Sequence, residues 1–142
     1  MKGTLEAIHI AAAAGAPMQA LREVTLITDT GVAGDRKAKP GSKRQVLVIP
    51  IEVLEAFDLQ PGMIRENLTL RGVDVFALAA GQQVRVGTAL LELTKYCTPC
   101  EFMDSVRPGL RAAMHDRRGM LFRVVQGGVI RVGDAVEVLQ RS

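Results

Sequence analysis

Aromatic side chains are scarce in this sequence, which has no tryptophan, one tyrosine and four phenylalanines among 142 residues. Proteins that bind single-stranded nucleic acid stack bases on aromatic side chains, so this scarcity disfavours nucleic acid as a partner. The 18 basic and 15 acidic residues leave a net charge of only +3. That charge attracts small anions but falls short of the strongly basic character of most nucleic-acid binders.

Long apolar runs are also missing. No segment approaches the roughly 18 to 20 apolar residues of a membrane-spanning helix, and Glu6 and His9 interrupt the apolar run that a secretory signal would need. The 48% hydrophobic and 23% charged fractions are typical of a globular domain. No linker-like segment divides the chain. We therefore expect a single domain over residues 1–142, located in the cytoplasm and away from membranes.

The only two cysteines, Cys97 and Cys100, are too close in sequence to stabilise a secreted fold by closing a long loop. Their Cys-Thr-Pro-Cys segment is compatible with a redox-active dithiol, or with a single soft nucleophile or metal ligand. A structural zinc site is disfavoured, because His9 and His115 lack ligand spacing. Two buried cysteines that only pack are the remaining alternative.

The loop over residues 29–44 combines glycines with positive charge. Its cations are Arg36, Lys37, Lys39, Lys43 and Arg44. Arginine side chains match phosphate or oxo groups bidentately, and glycines let backbone N–H groups approach an anion closely. The pattern indicates a small anionic ligand, with a merely solvated loop as the alternative. Other candidates for the cationic site, or for its rim, are Arg117, Arg118 and Arg123.

Hydrophobic alternation and glycine turns predict a chain made mainly of strands. We expect strands at residues 3–10, 21–28, 45–49, 66–70, 90–93 and 136–139, a helix at 51–57 with Pro50 as its first residue, and a helical stretch at 101–115 broken near Pro108 and Gly109. Residues 81–89 recur as 127–135, and each copy predicts strand, tight turn and strand. Regular crossover helices are lacking in this pattern, which favours an antiparallel barrel.

Several short motifs, taken in order, resemble the MOSC family, named for the molybdenum cofactor sulfurase C-terminal domain. They are Gly31-Val32-Ala33-Gly34-Asp35-Arg36, Glu66-Asn67-Leu68-Thr69, Gly72-Val73-Asp74, Gly81, Gly87 and Thr98-Pro99-Cys100. The resemblance runs over residues 8–139. It implies a mostly β fold, an antiparallel β-barrel like the barrel domain of pyruvate kinase, in a stand-alone bacterial-type member.

The resemblance also implies a site. Cys100 would be the catalytic residue, ligating molybdenum or carrying sulfur as a persulfide. The anionic molybdenum cofactor (molybdopterin) would be held by Arg36, Lys37, Arg44, Glu66, Asn67 and Thr98. The sequence departs from the family at three points: Lys37 replaces a common histidine, the loop over residues 37–45 is short, and Cys97 adds a second thiol.

Three functions follow from these residues. The first is a domain that binds the molybdenum cofactor or carries sulfur for it through Cys100, as a sulfurtransferase does. The second is a molybdenum-dependent reductase of N-hydroxylated substrates, and the third is a non-catalytic anion- or protein-binding module with a redox-active Cys97/Cys100 pair. The chain is too short to include a cysteine desulfurase, so we expect a separate desulfurase, which would carry the pyridoxal phosphate, or a separate electron-transfer protein. Pairing of strand edges between two copies would give a homodimer.

Overall fold

The computed structural model describes residues 1–140, so the last two residues of the expected domain, 141 and 142, lie outside the described residues. The strands are β1 (Lys2–Ile10), β2 (Gln19–Leu21), β3 (Glu23–Ile27), β4 (Gly31–Val32), β5 (Val46–Pro50), β6 (Leu68–Arg71), β7 (Gln83–Val86), β8 (Ala89–Tyr96), β9 (Met120–Gln126), β10 (Gly128–Arg131) and β11 (Ala135–Val138). The helices are α1 (Ile51–Ala56), α2 (Phe102–Val106) and α3 (Leu110–Ala113), with a 3₁₀ turn at Val75–Ala77.

Seven strands close into a barrel in the order β1, β11, β7, β8, β9, β5, β6, which confirms the expected mostly β barrel. The ring closes where β1 pairs with β11, Lys2 opposite Glu137. It is not purely antiparallel, because β5 and β6 run parallel with Val48 opposite Leu68. An odd number of strands cannot alternate direction all the way round a closed ring. The parallel pair is allowed here because α1 and the residues after it form the crossover between the two strands.

Two smaller elements lie outside the ring. Strand β2 pairs with the end of β1, while β3 lies between β4 and β10 in a second sheet. The predicted strand at 21–28 is therefore divided at Arg22 between two sheets. The two copies of the repeat also differ. In the first copy, β7 and β8 form the expected hairpin. In the second copy, β10 pairs with β3, whereas β11 pairs with β1 and β7.

Strand β5 is buried at every position because it is covered on both faces. Val46 and Val48 point into the barrel core. On the other face, Ile49 packs with residues of all three helices, and Leu47 packs against Cys97 and Leu121. The outer face of β5 therefore forms one side of the small cluster that contains Cys97.

The helices follow the sequence expectation with small changes. Pro50 is the N-cap of α1, with extended φ and ψ of −71° and 138°, and it is also the last residue of β5. It therefore precedes the helix and is not its first residue. The stretch at 101–115 divides into α2 and α3 around Pro108 and Gly109, as predicted. None of the helices in residues 1–140 has the length and apolar character needed to span a membrane.

Candidate functional site

An open cavity of about 350 Å³ lies where the basic loop, the segment after β8 and the residues before β9 meet. Its lining consists of Gly15, Arg36, Arg44, Arg65, Cys97, Thr98, Cys100, Phe102 and Arg118. Four arginines and both thiols of the chain thus share one cavity, and no carboxylate from residues 1–140 belongs to its lining. This composition suits an anionic ligand that reaches a sulfur atom.

The two thiols differ in their surroundings. The chain leaves β8 at Tyr96, and the Cys97 N–H donates to the Gly119 carbonyl oxygen at 3.0 Å. This bond holds the Cys97 side chain against Leu47 and Leu121, where the residue is 5% exposed. Cys100 lies in the turn before α2 and is exposed. Cys100 is therefore the thiol that a ligand in the cavity can reach freely.

Arg118 is the most deeply placed arginine of the cavity, with 5% of the residue exposed. Its backbone N–H donates to the Tyr96 hydroxyl at 3.2 Å, and that hydroxyl donates to the His115 carbonyl oxygen at 2.7 Å. Within residues 1–140, Nε and Nη1 of Arg118 have no hydrogen-bond partner. A buried charged group without partners is costly. Both atoms are themselves buried, so it is the rest of the Arg118 side chain that lines the cavity.

The basic loop is organised by Asp35, which is buried. Its carboxylate accepts from the Ala11 N–H at 2.9 Å and from the Lys37 N–H at 3.1 Å, and it lies 3.2 Å from Lys37 Nζ. Burial lowers the pKa of Lys37, the charge of Asp35 opposes that shift, and the charges of Arg36 and Arg118 add to it. Lys37 therefore forms an ion pair with Asp35, whereas Arg36 lines the cavity.

Asn67 is fully buried and bonded to backbone groups on two strands. Its Oδ1 accepts from the Leu47 N–H of β5 at 3.0 Å, and its Nδ2 donates to the His9 carbonyl oxygen of β1 at 3.1 Å. Its side chain joins strands and does not line the cavity.

Glu66 is also fully buried, and within residues 1–140 neither of its carboxylate oxygens makes a hydrogen bond of normal geometry. Burial raises the pKa of Glu66, while nearby peptide N–H groups and the positive charge of Arg118 act in the opposite direction. Glu66 is therefore close enough to Arg118 to feel its charge, although it does not line the cavity.

The structure brings together only part of the predicted site. Cys100, Thr98, Arg36 and Arg44 line one cavity, whereas Lys37, Glu66 and Asn67 are not part of its lining. The three arginines named as further candidates are separated: Arg118 lines the cavity, Arg117 lines a different one, and Arg123 lies 2.8 Å from Glu92.

Sequence reasoning missed Arg65, whose guanidinium lies 5.6 Å from the centre of the Phe102 ring, within cation–π range. Its Nη2 donates to the Ala16 carbonyl oxygen at 2.9 Å. The sequence signal was weak, since Arg65 only precedes the Glu66-Asn67 motif. Among residues 1–140 no three His, Cys, Asp or Glu side chains are grouped to hold a metal ion.

These features define a class of protein: a small β-barrel with an exposed thiol in an arginine-lined cavity. The sequence matches the model of the MOSC domain over residues 35–137, and the chain belongs to the MOSC family. No curated protein matches it at the sequence level.

Solved structures share the fold. The YuaD protein from Bacillus subtilis has a TM-score of 0.84 and 18% identity, covering 100% of this chain and 98% of that one. YiiM from Geobacillus stearothermophilus has a TM-score of 0.78 and 20% identity, covering 98% of this chain and 76% of its own. YiiM from Escherichia coli has a TM-score of 0.73 and 20% identity, covering 100% of this chain and 71% of its own. At these identities the likeness shows the fold alone.

Proposed function

We propose that this protein binds the molybdenum cofactor, or carries sulfur for it, through the thiol of Cys100. The observation that carries the proposal is the cavity itself, in which an exposed cysteine stands among four arginines. Family membership supports the same role, because MOSC domains are associated with this cofactor.

The residues present fit such a group in two respects. Arg118 lines the cavity and is 5% exposed, and its guanidinium would donate charge-assisted hydrogen bonds to a phosphate or oxo group. Cys100 offers a thiolate, a soft ligand of the kind that suits molybdenum or a transferable sulfur. When bound, the cofactor would supply oxygen- or sulfur-transfer chemistry at its metal.

The chain's own residues then have distinct tasks. Arg118 anchors the anionic end of the ligand inside the cavity, where the low exposure strengthens each charged contact. Arg36 and Arg44, both exposed, bring positive charge to the cavity from the loop. Phe102 and Arg65 also line the cavity, with the Arg65 guanidinium 5.6 Å from the centre of the Phe102 ring. Cys100 supplies the reactive sulfur.

Two partners remain part of the proposal. A cysteine desulfurase would deliver sulfur to Cys100, and an electron-transfer protein would be needed for reduction of N-hydroxylated substrates. Either activity requires Cys100 to bind metal or sulfur first. Binding of metal or sulfur at Cys100 is therefore the step to test before any substrate is tried.

The test is expression in a host that makes the cofactor, followed by molybdenum analysis and intact mass of wild type, Cys100→Ser and Cys97→Ser. We expect wild type and Cys97→Ser to contain roughly stoichiometric molybdenum, or to show a mass increase of about 32 Da for one sulfur. We expect Cys100→Ser to show neither signal. Loss from both variants alike would instead support a dithiol site. Neither signal in wild type would refute the proposal and favour a binding module.

A further inference from the structure

We propose that the cavity accepts a sulfur oxyanion of the thiosulfate class as the sulfur donor for Cys100, with Arg118 binding the sulfonate group. This inference rests on the sulfur-carrying form of the proposed function and names a small-molecule donor that would act in place of the desulfurase. It is carried by a buried arginine, three further arginines and an exposed thiol that line the same cavity.

The chemistry of Arg118 restricts the ligand. Arg118 lines the cavity, and a guanidinium donates charge-assisted hydrogen bonds to the oxygens of an oxyanion. Because the residue is 5% exposed, only a group that enters the cavity can bond to its guanidinium. An uncharged ligand would leave the positive charge of Arg118 without a counter-ion.

Charge and size point the same way. Arg36, Arg44 and Arg65 add three more positive charges to the lining, which suits a donor that carries two negative charges. A cavity of about 350 Å³ lies near the lower end of the range for small-molecule sites. A small dianion that carries its own transferable sulfur meets both conditions.

The proposed step balances without an added oxidant or reductant. The Cys100 thiolate attacks the terminal sulfur of thiosulfate, and a new S–S bond forms at Cys100 Sγ. The bond between the two thiosulfate sulfurs breaks, and its electron pair leaves with sulfite. One thiolate charge and two donor charges become one persulfide charge and two sulfite charges. Arg118 stabilises the leaving sulfite, on which that charge collects.

The test uses the full chain, reduced and free of bound metal, incubated with thiosulfate and then with inorganic polysulfide, which has no sulfonate. Intact mass follows the gain of about 32 Da per sulfur, and released sulfite is measured in parallel. The variants are Cys100→Ser, Arg118→Gln and the matched control Arg117→Gln, which replaces the exposed neighbour that lines a different cavity. Circular dichroism checks folding.

We expect thiosulfate to load wild type and Arg117→Gln at the same rate, with one sulfite released per sulfur, and not to load Cys100→Ser. Arg118→Gln should load from thiosulfate roughly 10- to 100-fold more slowly, the factor expected for a lost charge-assisted hydrogen bond. Its loading from polysulfide, which has no sulfonate to lose contacts, should be slowed by a smaller factor than its loading from thiosulfate. If Arg118→Gln does not fold, the exposed Arg36→Gln and Arg44→Gln are expected to slow thiosulfate loading, whereas Arg117→Gln is not.

Other results would overturn the inference. Loading of wild type by polysulfide but not by thiosulfate would reject the oxyanion donor and leave the proposed function standing. Equal slowing of the Arg117 and Arg118 variants would show a general effect of charge and no subsite. If neither reagent loads Cys100, the sulfur-carrying form of the proposed function fails as well.

Discussion

Lys37 lies 3.2 Å from the buried carboxylate of Asp35, on the loop that carries Arg36 into the cavity. The side chains of both residues are largely inaccessible, at 15% and 0% exposure. Asp35 also accepts the Ala11 and Lys37 N–H groups, so it fixes the loop from three directions. Its removal should therefore cost more than removal of its lysine partner.

We expect Asp35→Ala to lower the free energy of unfolding by about 3 to 5 kcal/mol, because it leaves a buried ammonium and two N–H groups unpaired. Lys37→Met should cost about 1 kcal/mol, since the carboxylate keeps both backbone donors. Urea unfolding of both single variants and the double variant gives the coupling between them. Equal costs for the two single variants would contradict this ranking.

Asn67 provides a second prediction, which separates a structural role from a ligand-binding one. Asn67→Ala leaves the Leu47 N–H and the His9 carbonyl without their partner, so we expect a loss of about 2 to 4 kcal/mol in unfolding free energy. Gln19→Ala, on the exposed surface of β2, should stay within about 0.5 kcal/mol of wild type. Sulfur loading of the folded fraction should remain at the wild-type level. Weak loading together with full stability would instead place Asn67 against the ligand.

Glu66 should make stability depend on pH. Burial raises the pKa of Glu66 in the folded protein, so the folded state binds its proton more tightly than the unfolded state. Its contribution is fully present below the ordinary glutamate pKa of about 4.3 and is lost as the pH rises through the folded pKa. Each unit of difference corresponds to about 1.4 kcal/mol.

Glu66→Gln removes this titration. As the pH rises above the ordinary glutamate pKa of about 4.3, the unfolding free energy of the variant should rise relative to that of wild type. Unfolding in urea at a series of pH values provides the measurement. A constant difference between the two proteins across the series would show that Glu66 does not titrate in this range.

The two thiols should differ in reactivity. Cys97 is 5% exposed and packed against Leu47 and Leu121, whereas Cys100 is exposed. We expect iodoacetamide to modify Cys100 in the native protein and Cys97 only after unfolding, as read from intact mass. Cys97→Ser should leave the fast phase unchanged. If neither thiol reacted, the alternative of two cysteines that only pack would be supported. Rapid modification of both thiols would show that the cluster of Cys97, Leu47 and Leu121 is more open than the structure describes.

Local patterns were sufficient for much of the fold. The hairpin of β7 and β8 was predicted because alternation and Gly87 are local signals. Strand β9 was not, because its Met-Leu-Phe-Arg-Val-Val-Gln sequence is buried at most positions and does not alternate clearly. The repeated sequence shows the limit most clearly: the same local pattern forms a hairpin in one copy and joins two sheets in the other, because distant strands supply the partners.

The site shows the same division. Cys100, Thr98, Arg36 and Arg44 were predicted, and the fold brings them to one cavity. The hydrogen bonds of Asn67 could not be predicted from the sequence, because its side-chain partners are 20 and 58 residues away. Arg118 was only one of three neighbouring candidates. Its place in the cavity depends on burial by distant segments of the chain, which no local pattern contains.

The pairing of β1 with β11 has a consequence for synthesis on the ribosome. The first strand to be made can complete its hydrogen bonding only after the eleventh has emerged, because Thr4 pairs with Ala135. A nascent chain that stops before Ala135 therefore presents an open sheet with two unpaired edges, a form prone to association with other chains. Closure of so long a loop also favours slow folding. The cavity, whose residues come from both halves of the chain, is assembled in its final setting only when translation of the barrel is nearly complete.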